Sequence, residues 1–222
     1  MQKLQENLEK IQEKIRQSAL KANRNPAEIT LIAVTKTVSS AFVAKLIELG
    51  VKNIGENRVQ DARDKKNTLS YDGISWHMIG HLQSNKVKTA LETFDFFHSV
   101  DTLSLAQELS KRTNQTIPIL LEVNASGEES KQGFAPECLE KNLQQILELP
   151  HLDVQGFMTM APLTANQEIC RACFKKLRIL RDRFQLKHLS MGMSQDYEIA
   201  IEEGATMVRV GSALFEGCEE IV

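Results

Sequence analysis

The sequence contains no long hydrophobic segment. None of the apolar runs in its 222 residues approaches the ~20 residues that a membrane-spanning helix needs. The N-terminus alternates charged and amide side chains where a signal peptide would have an apolar centre. We therefore expect a cytoplasmic protein that does not associate with membranes.

The sequence also lacks an excess of charge of either sign. Its 27 basic and 29 acidic residues leave a formal net charge of −2, so electrostatics gives no reason to expect nucleic acid as a partner. A small-molecule ligand is the better expectation. The four cysteines form no disulfide framework, and Cys170 and Cys173 have no second pair that would complete a zinc site. We interpret them as ordinary thiols and expect no metal.

No linker, low-complexity run or change of composition divides the chain, so we predict one domain over residues 1–222. Residues 1–24 carry apolar side chains at spacings of three and four, which predicts an amphipathic helix ended by Asn25 and Pro26. We expect this helix to lie over an open end of the fold, with a coiled-coil arm as the alternative.

After this helix, strand-like and helix-like patterns alternate about eight times. Strands are predicted at 31–35, 53–56, 76–80, 96–100, 117–123, 152–160, 188–191 and 207–210. Helices are predicted between them, for example at 41–49, 103–111, 136–149, 167–184 and 195–203. Such alternation gives a parallel sheet, and this many units fit a closed barrel better than an open doubly wound sheet. The predicted fold is an α/β protein, a single (β/α)8 TIM barrel with an extra N-terminal helix.

Lys36 follows the first predicted strand, at the face where α/β barrels carry their chemistry. A lysine there can pair with a carboxylate, donate to a phosphate, or act as an amine nucleophile whose pKa is lowered by desolvation. Asn57 follows the second predicted strand, and His77 and His81 lie around the third, so the same face collects them. We interpret His77, His81 and Lys86 as polar rim residues, because their spacing does not suit a metal.

The loops after the seventh and eighth strands have the features of an anion site. Ser194 and Ser212 each follow a glycine closely, just before a predicted helical turn. Backbone N–H groups at such turns bind phosphate, and barrels most often hold phosphate at these two loops. We therefore predict a phosphate site that includes Ser194, Gly211 and Ser212.

Arg209 lies on the eighth strand with the parity of Met207, opposite to Val208 and Val210. Because the valines suit the face covered by helices, Arg209 is predicted to point into the barrel. A structural ion pair with an inward acid is the alternative. A phosphate site and a buried amine in one barrel mouth suggest a phosphorylated aldehyde, bound as a Schiff base.

An ordered series of motifs covers nearly the whole chain. The stretches are LIAVTK at 31–36, IGENRVQ at 54–60, WHMIGHLQSNK at 76–86, SVD at 99–101, GEESKQGF at 127–134, GFMTMAP at 156–162, LSMGMS at 189–194 and VRVGSALF at 208–215. In these motifs the chain closely resembles the pyridoxal phosphate homeostasis proteins, which belong to the alanine-racemase-like (fold type III) barrels. It departs from their pattern at 216–220, where a glycine followed shortly by arginine is usual.

The resemblance implies pyridoxal 5′-phosphate (PLP) as the cofactor, bound by Lys36, Asn57, Ser194, Arg209, Gly211 and Ser212. It assigns the Schiff base to Lys36, the phosphate to the two serines and the glycine, the pyridine nitrogen to Arg209, and a place beside the ring to Asn57. A permanent cation beside that nitrogen disfavours its protonation and makes the ring a weaker electron sink. No catalytic residue is therefore expected.

Three functions remain open at this point. The leading one is a non-catalytic PLP carrier that buffers or delivers the cofactor and so influences the balance of amino acids and keto acids. Its expected partners are PLP itself and either PLP-dependent apoenzymes or a regulatory protein, and we expect a monomer. The second is an amino-acid racemase, although Tyr71 and Tyr197 are the only tyrosines and neither is at a strand end near Lys36. The third is a barrel enzyme that binds a phosphosugar as a Schiff base.

Overall fold

The computed structural model describes residues 2–69, 71–128 and 131–218. Glu129 and Ser130 of the stretch at 127–134, and Glu219 and Glu220 of the divergent C-terminal end, lie outside the described residues. Within those residues, parallel strands close into an eight-stranded barrel in chain order. The strands are β1 (Thr30–Val34), β2 (Asn53–Glu56), β3 (Ser75–Met78), β4 (Phe96–Val100), β5 (Ile117–Glu122), β6 (Leu152–Met158), β7 (His188–Ser190) and β8 (Met207–Val210).

Helices precede, connect and follow the strands. They are α1 (Gln2–Lys21), α2 (Ser40–Glu48), α3 (Val59–Thr68), α4 (Val87–Thr93), α5 (Leu103–Arg112), α6 (Leu139–Leu147), α7 (Gln167–Arg183), α8 (Tyr197–Glu202) and α9 (Ser212–Phe215), with 3-10 turns at Pro26–Glu28, Ser84–Lys86 and Pro136–Cys138. None of the described helices is long and apolar enough to cross a membrane. The predicted (β/α)8 barrel is confirmed.

Local sequence explains where several helices begin and end. Thr102 and Asn166 cap α5 and α7, since their side-chain oxygens accept from the backbone N–H groups of Leu105 and Glu168. The predicted helix at 136–149 instead begins as a 3-10 turn, and α6 starts only at Leu139. A tight turn of this kind is common where an α-helix begins.

Alternation along the strands separates two apolar layers. The barrel interior holds a small cluster made of Ile32, Phe96, Leu120, Met158 and Met207. The larger core, to which Val208 and Val210 belong, fills the space between the strands and the surrounding helices. Because successive residues of a strand face opposite sides, an apolar residue on the outer layer turns its neighbours inward.

Helix α1 packs against α8 and α9, the helices that follow the last two strands. Its buried apolar residues are Leu4, Leu8, Ile11, Ile15 and Ala19. Asn7, also buried, donates from Nδ2 to the carbonyl oxygens of Leu214 at 3.0 Å and of Glu216 at 2.9 Å. The N-terminal helix therefore holds the short segment that begins at Ser212.

Candidate functional site

A cavity of about 530 Å³ opens at the C-terminal ends of the strands. Its wall includes every residue predicted to bind the cofactor, namely Lys36, Asn57, Ser194, Arg209, Gly211 and Ser212. These residues lie on or just after β1, β2, β7 and β8, which are consecutive around the closed barrel. One side of the barrel mouth therefore collects an amine, hydroxyl groups and a guanidinium.

Lys36 lies in the turn that follows β1. The residue before it, Thr35, is fixed on both sides: its hydroxyl donates to Glu56 at 2.6 Å, and its carbonyl accepts from Lys65 Nζ at 2.6 Å. The prediction of a buried amine is wrong, because Lys36 is beyond the packed end of the strand and is exposed. Its amine is thus accessible both to a ligand in the cavity and to a molecule in solution.

Ser194 connects the loops that follow β7 and β8. Its Oγ accepts from the backbone N–H groups of Gly211 and Ala213, both at 3.3 Å. Because the oxygen accepts both bonds, the hydroxyl hydrogen can be donated to an anion. Asp196 fixes the same loop, since its carboxylate accepts from the backbone N–H of Met193 at 2.6 Å. The predicted phosphate loops are therefore adjacent and joined.

Two glycines let loops at the barrel mouth, after β7 and after β3, approach their neighbours closely. Gly192 has a φ of +91°, and a Cβ at that position would lie 2.5 Å from Cβ of Ala200 and 2.8 Å from Cα of Tyr197. A Cβ at Gly80 would lie 2.6 Å from the carbonyl oxygen of Asn57. Only glycine fits such contacts without movement of the backbone. Gly192 thus seats the loop after β7 against α8, and Gly80 seats the loop after β3 against Asn57.

Arg209 is inside the barrel, as its parity predicts, and only 4% of it is exposed. Its Nη1 donates to Oγ of Ser190 at 2.6 Å, and its Nη2 donates to the carbonyl oxygen of Thr159 at 3.0 Å. These are its hydrogen-bond partners within the described part of the chain, where the alternative ion pair is not formed. Burial lowers the pKa of Arg209 to about 10, while the charges of Glu122 and Asp196 act in the opposite direction. The guanidinium is therefore charged at neutral pH.

Polar side chains continue from Arg209 across the barrel interior. His98 Nδ1 lies 2.8 Å from Oγ of Ser190, and His98 Nε2 lies 2.9 Å from Nδ1 of His77. His77 Nε2 lies 3.0 Å from Oδ1 of Asn53. Burial lowers the pKa of His77 to about 4 and that of His98 well below its usual range. The two rings are therefore neutral at physiological pH.

The interpretation of His77 as a rim residue is wrong. Trp76 and Met78 belong to the outer core, so alternation turns His77 inward, where it is 2% exposed. The same argument that placed Arg209 would have found it. His81 does lie at the rim, with Nδ1 2.9 Å from Oδ2 of Asp101, and Lys86 is exposed in a 3-10 turn.

Glu122, the last residue of β5, lies in the cavity wall but is not among the residues predicted from the sequence. It is 4% exposed, and burial together with the nearby charge of Asp101 raises its pKa to about 7. An acidic residue at the end of an otherwise apolar strand was the signal that could have identified it. At neutral pH this carboxyl group can both accept and donate a proton.

The two cysteines of the C-x-x-C pair are buried in α7. Burial raises the pKa of Cys170, which lies in the cavity wall, and raises that of Cys173 to about 11. Thiols with raised pKa values are weak nucleophiles and weak metal ligands at neutral pH. Across the described ranges, no group of histidine, cysteine and acidic residues is arranged to hold a metal ion.

Comparisons with known proteins agree with this geometry. The family model described as "Alanine racemase, N-terminal domain" matches residues 1–218. A protein of Aquifex aeolicus is 42% identical over 219 residues, which cover 95% of this chain and 96% of that protein. A protein of Pseudomonas aeruginosa is 42% identical over 220 residues, which cover 97% and 96%. Both are named pyridoxal phosphate homeostasis protein.

Solved structures show the same barrel. PipY of Synechococcus elongatus, solved with PLP bound, has a TM-score of 0.84 at 32% identity, covering 96% of this chain and 99% of that chain. An alanine racemase of Clostridium difficile has a TM-score of 0.75 at 17% identity and shows the fold alone; the match covers all of this chain and 59% of that one. The chain therefore belongs to the family of alanine racemase N-terminal domains and, within it, to the pyridoxal phosphate homeostasis proteins.

Proposed function

We propose that this protein binds PLP in the barrel mouth and serves PLP homeostasis, buffering or delivering the cofactor and so influencing the balance of amino acids and keto acids. The observation that carries the proposal is the convergence of Lys36, Ser194 and Arg209 on one cavity. The names of the relatives, and the PLP bound in the PipY structure, support the same ligand.

The chemistry of the cavity wall fits PLP group by group. The hydroxyls of Ser194 and Ser212 suit a phosphate, because they offer neutral donors at the joined loops, and Gly211 lies beside them in the cavity wall. Arg209 is a buried cation with N–H groups beyond those that its two bonds use, which suits the lone pair of a ring nitrogen. Asn57 lines the wall between these groups and β3.

When bound, PLP supplies an aldehyde to which a primary amine can add. Lys36 would hold the cofactor at that carbon, and its exposed position lets an acceptor amine or water reach the same place. The charged guanidinium of Arg209 would disfavour a proton on the ring nitrogen. These residues would therefore favour reversible holding of the cofactor over chemistry on an amino acid.

Weak amino-acid racemisation is the alternative, and one observation favours it. Glu122 lines the cavity and has a pKa of about 7, so it could move a proton at neutral pH. Racemisation needs a base on one face of the reacting carbon and an acid on the other. Tyr71 and Tyr197 are outside the cavity wall. We rank a carrier first because Arg209 opposes the electron withdrawal that such a reaction needs.

We further propose that the protein acts in the cytoplasm as a monomer and that PLP-dependent apoenzymes or a regulatory protein contact the barrel mouth. The exposure of Lys36 and Ser212 would let such a partner reach the cofactor. The free state of the cysteines suits a reducing compartment. A closed barrel has no unpaired sheet edge, which removes one common route to self-association.

Chemical trapping tests the assignment of Lys36. The protein loaded with PLP is treated with borohydride, digested and analysed by mass spectrometry. We expect a pyridoxyl group on Lys36, its loss in Lys36→Ala, and no change in Lys52→Ala, which removes another exposed lysine. A pyridoxyl group found only on a different lysine would contradict the proposal.

A second experiment tests the phosphate loops. The double variant Ser194→Ala with Ser212→Ala should lose PLP faster than the parent, because each hydroxyl contributes on the order of 1 kcal/mol. Ser104→Ala, which removes an exposed hydroxyl on α5, is the matched control. Equal rates of cofactor loss in dialysis from the double variant and the parent would place the phosphate elsewhere.

A further inference from the structure

The environment of Arg209 is unusual for a buried cation. It is 4% exposed, and within the described ranges it donates to a hydroxyl and a backbone carbonyl but to no carboxylate. A guanidinium has more N–H donors than these two bonds use. Since Arg209 also lines the cavity, we expect its remaining donors to be available to a ligand bound there.

Hydrogen bonds join five side chains in a row, which we call the hydrogen-bond chain: Arg209, Ser190, His98, His77 and Asn53. The donor and the acceptor of each bond can be assigned from the heavy-atom partners. Asn53 Oδ1 can only accept, so His77 carries its hydrogen on Nε2 and accepts at Nδ1. His98 must then donate from Nε2 and accept at Nδ1 from the hydroxyl of Ser190. The oxygen of Ser190 is left to accept from Nη1 of Arg209.

The opposite direction is less satisfactory. With the amide of Asn53 rotated so that it donates, every imidazole hydrogen would move to Nδ1, and Ser190 would accept from His98 and Arg209 together. Its hydroxyl hydrogen would then have no acceptor among the partners found in the described ranges. A buried donor without an acceptor costs about 1–3 kcal/mol, which favours the direction from Arg209 to Asn53.

We propose that Ser190 and His98 are positioning residues for Arg209, fixing the rotation of its guanidinium so that the unused N–H groups face an unprotonated ring nitrogen. This inference rests on the proposed function, because the ring nitrogen is that of PLP. Ser190 holds one edge of the guanidinium and Thr159 another. His98, with His77 and Asn53 behind it, keeps the Ser190 hydroxyl turned so that its lone pairs meet Arg209.

Nuclear magnetic resonance tests the direction of the chain without any measurement on the cofactor. Long-range ¹H–¹⁵N correlation spectra identify which nitrogen of a neutral imidazole carries the hydrogen. We expect the hydrogen on Nε2 in both His77 and His98. A hydrogen on Nδ1 of His98 would overturn the proposal, because that ring would then donate to the Ser190 oxygen and would no longer hold the hydroxyl hydrogen.

Variants of residues in the hydrogen-bond chain test its effect on how fast PLP dissociates. Ser190→Ala removes the acceptor for Arg209, and His98→Leu removes the acceptor for Ser190. His98→Asn places an amide oxygen where Nδ1 was, so it should restore the bond. His188→Leu is the matched control, since His188 is the first residue of β7, bonds Thr206 and lies outside the cavity wall. Each variant is loaded with PLP, or with its 1-deaza analogue, which has carbon in place of the ring nitrogen.

A comparison of PLP with its 1-deaza analogue distinguishes a loss of Arg209 positioning from general damage to the fold. PLP should leave Ser190→Ala and His98→Leu about tenfold faster than the parent, while His98→Asn and His188→Leu stay near the parent. The deaza analogue should leave all of them at similar rates, because it has no lone pair for Arg209. Equal acceleration for both ligands would overturn the proposal. A parent that does not bind PLP at Lys36 would instead contradict the proposed function, and the imidazole spectra would still report on the chain.

Discussion

At the scale of single residues, the barrel interior depends on neutral histidines. His77 and His98 each accept a hydrogen bond at one ring nitrogen and donate from the other. Protonation would turn an acceptor into a donor facing another donor, and the charge would be far from water. Burial accordingly lowers the pKa of His77 from 6.5 to about 4. The hydrogen-bond chain in the barrel interior therefore requires a pH at which both imidazole rings are uncharged.

We predict that His77 makes the fold less stable in weak acid. Between pH 6.5 and about 4 the unfolded chain binds a proton that the folded chain does not. This contribution to stability is complete above pH 6.5 and is lost as the pH falls toward 4, by on the order of 3 kcal/mol. Urea denaturation of the parent and of His77→Gln across this range should show the parent losing stability relative to the variant.

The effect of Glu122 on the pH dependence of stability is opposite to that of His77. The contribution of His77 is therefore measured as a difference between the parent and a variant. Its pKa is raised from 4.5 to about 7, so the folded chain holds an extra proton between these values. The stability associated with Glu122 is thus present below pH 4.5 and lost as the pH rises toward 7. The parent and His77→Gln share Glu122, so it cancels in their difference. A difference that stays constant with pH would contradict the role given to His77.

Alternation decided which inward residues could be predicted from the sequence. Arg209 lies between Val208 and Val210, which suit the outer core, so the sequence predicted that the Arg209 side chain points into the barrel. His77 lies between Trp76 and Met78 in the same way, but its polarity suggested the rim instead. The exposure of Lys36 could not be predicted, since it depends on the path of the turn after β1 and not on the type of residue.

At the scale of elements, apolar runs were enough to locate the strands. The bounds predicted for β2, β4 and β8 agree with the structure, while β6 ends at Met158 and not at 160. Helices with a weak apolar face were harder to predict. In α3 only Val59 and Ala62 are buried, so the periodicity that identifies a surface helix is nearly absent. The position of α3 is explained by the alternation of strands and helices in the barrel and not by the pattern of its own residues.

The contact between α1 and α9 leads to a prediction about the phosphate loop. Asn7 holds the carbonyl groups of Leu214 and Glu216, just after Ser212. Asn7→Ala should lower the free energy of unfolding by about 2 kcal/mol, because these acceptors lose a buried partner. It should also speed the loss of PLP, since the segment that carries Ser212 is less firmly held. Urea denaturation and dialysis of the loaded protein measure the two effects.

Gln5→Ala is the control for this prediction. Gln5 is on the exposed side of the same helix and donates only to Glu9 within the described part of α1. Its replacement should change neither the unfolding midpoint nor the rate of cofactor loss by more than a small amount. If Asn7→Ala destabilised the fold but released PLP at the parental rate, α1 would stabilise the barrel without acting on the phosphate loop.

At the scale of the whole molecule, the exposure of the cavity mouth determines how freely a bound molecule could exchange with solution. In the described structure, the mouth around Lys36 and Ser212 is exposed. An open mouth favours exchange of a bound molecule and gives little protection to a reactive carbanion.

We therefore predict that the purified protein shows no useful racemase turnover. Racemisation needs groups on both faces of the reacting carbon, and the cavity wall includes Lys36, His81 and Glu122 as side chains that could exchange a proton. The charge of Arg209 weakens the ring as an electron sink, so even a well-placed pair would act on a carbon that holds its proton firmly. Incubation with L-alanine and other amino acids, followed by chiral chromatography, measures the activity. Rapid formation of D-isomers that Lys36→Ala and Glu122→Gln both abolish would show that the chain is an enzyme.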